Sequence, residues 1–205
     1  VAITNGYATL NEFKALPEIT STNATDDAAI EDMIERASRA IDTYCGTWFY
    51  AATLTRYFNT PRHGRELELD APLLAITTLT NGDASTIAST EYKLYPLNGP
   101  HKTHIKLLPS SATIWELSTA SDADGAISVL GAWGYCDRSA TDPESMKAIL
   151  ATNDACLIIA MAAWRKRYGL NTEGVATVPG AGVVISPRGL PLEAQQLLTP
   201  YRRLL

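Results

Sequence analysis

The sequence predicts an α+β protein, with helices at both ends and an antiparallel β region, sandwich or barrel-like, between them. Three observations carry that reading. Residues 26–45 repeat apolar side chains at helical spacing, and residues 143–168 form a second long helical stretch. Between them lie short runs that alternate apolar and polar residues, broken by Gly, Pro, Asn and Ser. These runs recur roughly every 8–15 residues, too closely for the crossover helices of a parallel sheet. The expected divisions are a first helical part at 1–48, an antiparallel β domain at 49–140, and a second helical part at 141–205 that includes a hairpin at 175–186.

Taken in order, Thr9 and Glu12 have the spacing of a capping box, opening a short helix that Pro17 stops. Thr25 or Asp26 is expected to cap the next helix, with Asp26 and Asp27 at its positive end. Ile30, Met33, Ile34, Ala37, Ile41 and Tyr44 make its apolar stripe, and Asp32–Arg36 and Glu35–Arg39 are ion pairs on its wet side. Gly46 suits the left-handed residue that ends a helix. Strands are expected at TLTRYFN, RELELD, LLAITTLT, EYKLYP, HIKLL, TIWEL and AISVLGAW, with Asn81-Gly82 as a hairpin turn. Asp142 and Pro143 then start a helix to Tyr168, whose second half, ACLIIAMAAW, is apolar all round and must be surrounded. VATVPGAGVVIS reads as a hairpin that is marginal alone. A short helix with Pro200 near its end closes the chain.

The 205 residues are 46% apolar and 19% charged, ordinary for a folded globular chain. The longest unbroken apolar run, Ala155–Trp164, is too short to span a bilayer, and VAITNGYATL lacks the features of a secretory signal; no membrane partner is expected. Three widely spaced cysteines point to a reducing compartment rather than a disulfide framework. The net charge of −5 divides unevenly: residues 1–164 carry −9 and residues 165–205 carry +4. An acidic body argues against ordinary nucleic-acid binding, while the basic end suits an acidic partner surface.

No constellation of residues makes a credible active site, and neither a cofactor nor a metal is expected. Cys45 lies at a helix C-terminus, where the dipole disfavours a thiolate, so it reads as packing among aromatics. His101 and His104 lack further ligands at metal-site spacing. SDADGAIS lacks the bidentate carboxylate of a calcium loop. Glu66, Glu68 and Asp70 share one strand face, which reads as a solvent face. Tyr44, Cys45, Gly46, Trp48 and Phe49 are expected to act as a structural anchor.

These same residues carry a resemblance. YATLNEFKA, TDDAAIEDMIERASRAIDTYCGTWFY, the segment 56–82 and LPLEAQQLLTPYRRL together resemble the head–tail connector (adaptor) family of tailed bacteriophages, over about half the chain and in the right order. The resemblance implies a helical bundle carrying a β insertion, in the form of the longer members. It implies a non-enzymatic virion protein of the neck, made in the host cytoplasm. Such a protein would form a ring of about twelve copies beneath the portal, meet a stopper or tail-completion protein below, and pass DNA through its lumen without reading sequence. On that footing Tyr201, Arg202, Arg203, Leu204 and Leu205 would dock on the portal. Val178, Val183, Val184, Ile185, Ile158 and Met161 would meet the neighbouring subunit. The alternatives are a stopper or tail-completion protein, which would be expected to have fewer long helices, and a β-sandwich binding module with Trp115 and Trp133 as platforms.

Overall fold

The computed structural model describes residues 3–17, 19, 24–167, 176–177, 184–185 and 189–203. These form two compact units, one from residues 1–46 with 149–205 and one from residues 47–148.

The first unit is helical. Its opening helix, α1 (Leu10–Lys14), has the full capping box: the Glu12 amide donates to the Thr9 hydroxyl and the Thr9 amide to the Glu12 carboxylate. The second helix, α2 (Asp27–Cys45), follows a 3-10 turn at Ala24–Asp26. That turn already holds Asp26 in a helical conformation, so its side chain makes no capping bond to the amides ahead. The ion pairs Asp32–Arg36 and Glu35–Arg39 form as their spacing predicts, and Gly46 ends the helix at φ 65°. The third helix, α3 (Pro143–Arg167), starts where the Asp142 carboxylate accepts the Ser145 amide. By length and composition alone α3 could cross a membrane, with a mean hydropathy of 1.5 over its most apolar stretch, a third of which is buried. Its polar residues, however, have work inside the fold. The Asn153 side-chain amide donates to the Tyr7 carbonyl (3.0 Å) and to Glu12. A last helix, α4 (Leu192–Leu198), buries Ala194 and Leu198 and runs into a 3-10 turn at Thr199–Tyr201. Two short strands, β6 (Ala176–Thr177) and β7 (Val184–Ile185), pair antiparallel within the expected hairpin.

Tyr7 is the joint of this unit. It is fully buried, and three polar groups are taken up by other segments. Its amide donates to Ser38 Oγ of α2 (3.0 Å), its carbonyl accepts from Asn153 of α3, and its hydroxyl donates to Asp42 of α2. Ser38 Oγ also donates to the Ile34 carbonyl and lies 3.5 Å from Cys156 Sγ of α3. Phe13 and Trp164 close the other side edge to face, with ring centroids 6.0 Å apart.

The second unit is a single five-stranded antiparallel sheet in the order β1-β5-β2-β4-β3, so α+β is the observed class. Its strands are β1 (Ala52–Phe58), β2 (Glu66–Thr80), β3 (Tyr92–Tyr95), β4 (Lys102–Leu107) and β5 (Ile127–Trp133). RELELD and LLAITTLT, expected as separate strands, are one long strand. Pro72, which has no amide to give, stands at a break in the β4 register, which pairs Glu66–Glu68 and resumes at Leu73, the residue where pairing with β5 also begins and runs to Thr80. Bulges on either side of Leu73 bend it there. Leu67, Leu69, Leu79, Ile105, Leu107, Ile127, Val129 and Trp133 make the core, and Trp115 is buried with them.

TIWEL is not a strand, although it alternates. Side chains replace its ladder: Asn81 donates to the Ile114 carbonyl and accepts the Glu116 amide, and Thr60 donates to the Glu116 carbonyl. The Arg65 guanidinium, meanwhile, gathers the carbonyls of Leu108, Ser111 and Thr113. Gly82 allows this approach, since a Cβ there would lie 2.1 Å from the Glu116 carbonyl oxygen. At the β1 edge, Arg56 shares the face of its partner Val129. Its guanidinium lies 5.5 Å from the Trp48 ring and 5.4 Å from the Trp133 ring, and it forms two bonds with Asp70. Glu66, Glu68 and Asp70 are exposed, as a solvent face requires.

Ser38→Ala leaves the buried Tyr7 amide without its acceptor. Urea denaturation is expected to show a loss of about 1–3 kcal/mol, with an unchanged denaturant slope.

Candidate functional site

Two groups of residues singled out in the sequence, from opposite ends of the chain, meet at the C-terminus of α2. The chain leaves the Thr199–Tyr201 turn with Arg202 extended at φ −70°, ψ 122°. The Arg203 amide then donates to the Cys45 carbonyl at 2.8 Å. This bond occupies one of the last carbonyls of α2, which have no partner inside the helix. The Arg202 guanidinium lies 5.4 Å from the centroid of the Tyr44 ring, a cation over an aromatic face at the negative end of the helix. Gly46, at φ 65°, lies beside them: a Cβ there would be in ordinary contact with the Arg203 carbonyl oxygen, 3.7 Å away. Tyr201 is half-buried, while the side chains of Arg202 and Arg203 are exposed. Leu204 and Leu205 lie outside the described residues.

Cys45 is fully buried, and its thiol is pushed up to about 12, first by desolvation and then by Asp42, against a smaller pull from Arg202. Burial likewise raises Cys136 to about 11, and its thiol donates to the Phe49 carbonyl. Neither is a nucleophile at neutral pH. His101 packs on Tyr135 with the rings tilted and their centroids 4.2 Å apart, and burial lowers its pKa. His104 stacks on Tyr95. Among the described residues there is no group of three or more His, Cys, Asp or Glu able to hold a metal ion.

The remaining residues of interest fall in separate places. Trp48 and Phe49 belong to the β unit: the Trp48 indole donates to the Trp133 carbonyl, and Phe49 packs on Tyr135 at 5.2 Å. Met161 is buried within its own copy and Ile158 half-buried. Val184 and Ile185 lie on β7, and Val178 and Val183 lie outside the described residues. Sequence reasoning missed Arg56, Asn81 and Arg65, because nothing local marks a side chain that will organise a distant backbone.

Asp42 is a carboxyl that burial moves toward the neutral range. Desolvation lifts its carboxyl to about 6, against the Tyr7 hydroxyl and Arg39, which pull it down; Glu35 adds to the rise. The folded protein therefore holds the Asp42 proton more tightly than the unfolded chain does. The resulting stabilisation is complete below about pH 4 and is lost as the pH rises through 6.

With that geometry in place, the chain can be set beside known proteins. No family model matches it, and no curated protein matches it. Solved structures do match, along 100% of the chain. One is described as the neck of an empty GTA particle computed with C6 symmetry, at a TM-score of 0.60 and 17% identity over 95% of that chain. A second is the neck of a native GTA particle computed with C12 symmetry, at 0.56 and 17% over 94%. A third is the virion of a native gene transfer agent (GTA) particle, at 0.58 and 16% over 95%. The chain thus has the fold of these neck proteins across both of its units, in agreement with the resemblance read from its sequence.

Asp42→Asn is expected to raise the melting temperature relative to wild type at pH 7.5. That difference should vanish near pH 4, where the wild-type carboxyl is itself neutral. A thermal melt series across this range checks both the sign and the window.

Proposed function

We propose that this protein is a structural subunit of the neck of a tailed phage or phage-like particle. In this reading it is an adaptor that assembles as a ring beneath the portal and continues the DNA channel toward the tail. The observation that carries the reading is the match of the whole chain, helical unit and β unit together, to chains from the neck of a gene transfer agent particle.

Three physical features support it. A third of the residues in the most apolar stretch of α3 are buried, most of the others are half-buried, and Leu150 on that helix is 57% exposed, so a neighbouring surface has apolar area to cover. Ile158 contributes to that contact, together with the Val-rich hairpin around Val184 and Ile185. The acidic body, −9 over residues 1–164, disfavours adhesion of DNA to the walls of a conduit. The basic end, +4 over residues 165–205, supplies the opposite charge for a portal, with Tyr201, Arg202 and Arg203 nearest the terminus. The neck symmetry of twelve described for one similar structure agrees with a ring of about twelve copies. The particle is then where the protein acts, with a stopper or tail-completion protein below it.

Co-expression with the portal of the same particle, followed by electron microscopy and native mass measurement, tests the reading. Rings of about twelve copies stacked on the portal are expected. A chain that stays monomeric with the portal present, or that attaches only to the tail side of an assembled neck, refutes the adaptor assignment.

A further inference from the structure

We propose that the C-terminus of α2 is a latch that orients the end of this chain for docking, with Tyr44 and Gly46 as its positioning residues. The inference rests on the neck reading above and adds how the tail is presented. Two successive tail residues are fixed by unlike interactions: Arg203 by its backbone bond to the Cys45 carbonyl, and Arg202 by its guanidinium over Tyr44. Directly upstream, Leu198 is buried and the Arg202 amide donates to the Thr199 carbonyl, so the approach to the latch is held as well. A free terminus samples many conformations and loses that freedom on binding. Here part of that loss is taken during folding, up to Arg203.

The latch also defines its partner. Arg202 and Arg203 keep exposed side chains, and two leucines follow them. The complementary surface is a protein groove with carboxylates at its rim and an apolar floor. Gly46 matters for conformation: at φ 65° a residue with a side chain is strained.

The test measures binding of the full-length chain to the purified portal ring of the same particle, using wild type, Tyr44→Ala, Tyr44→Phe, Arg202→Ala and the double alanine variant. Amide exchange at Arg203 is read in parallel. Tyr44→Ala and Arg202→Ala are each expected to weaken binding about fivefold and to speed exchange at Arg203. The double variant should be little worse than Arg202→Ala alone, because the contact with Tyr44 is already lost once the guanidinium is removed. Tyr44→Phe keeps the aromatic face and should bind as wild type. If Tyr44→Ala does not fold, Arg202→Ala decides through exchange at Arg203, which lies in the described, exposed tail. Wild-type binding by Tyr44→Ala, or unchanged exchange at Arg203 in Arg202→Ala, overturns the latch. If in that case deletion of residues 204–205 still abolishes binding, the neck reading survives without it. A wild-type chain that ignores the portal fails the neck reading itself.

Discussion

The helical unit depends on one buried tyrosine. Apolar contacts alone are non-directional and would let α2 and α3 slide along each other. The peptide groups of Tyr7 remove that freedom, because a buried donor and a buried acceptor must both be met at hydrogen-bond distance. Ser38 supplies the acceptor from α2 and Asn153 the donor from α3, so the register of the two helices is fixed through a residue on neither. Cys156, fully buried, lies at this contact, its Sγ 3.5 Å from Ser38 Oγ and 3.7 Å from the Ile34 carbonyl oxygen.

The β unit solves a related problem in its irregular parts. A backbone that leaves the sheet must still place its carbonyls, and here cations do it. Arg65 gathers three of them, and the Lys102 ammonium gathers those of Pro96, Leu97 and Gly99. Glu91 treats donors the same way, accepting from Ser111, Thr113 and the Ala88 amide, which holds its carboxyl below the usual range. Long loops are thereby given defined shapes with few ladder bonds. Both units use polar side chains to impose geometry on a core that hydrophobic burial alone would leave loose.

That division explains what could be read beforehand. The capping box at Thr9 and Glu12, the helix stop at Gly46 and the ion pairs of α2 are encoded within four residues, and a sequence displays them directly. The α+β class follows from periodicity and was legible for the same reason. TIWEL misled because alternation reports burial, not pairing: Trp115 is buried and Ile114 exposed, yet the ladder is built by Asn81. The site was legible only as two unrelated groups, aromatics around Cys45 and an arginine-rich end. Their meeting depends on how α4 packs, and no local pattern records that.

Consider finally Arg56, held between two tryptophans on an edge strand that has only β5 as a sheet partner. A foreign strand hydrogen-bonded to β1 would enclose that guanidinium and its Asp70 partner further from water, at a desolvation cost. The far edge, β3, carries Lys93 and ends just before Pro96. Both edges of the sheet thus carry charges that oppose the addition of a foreign strand and the growth of cross-β fibres.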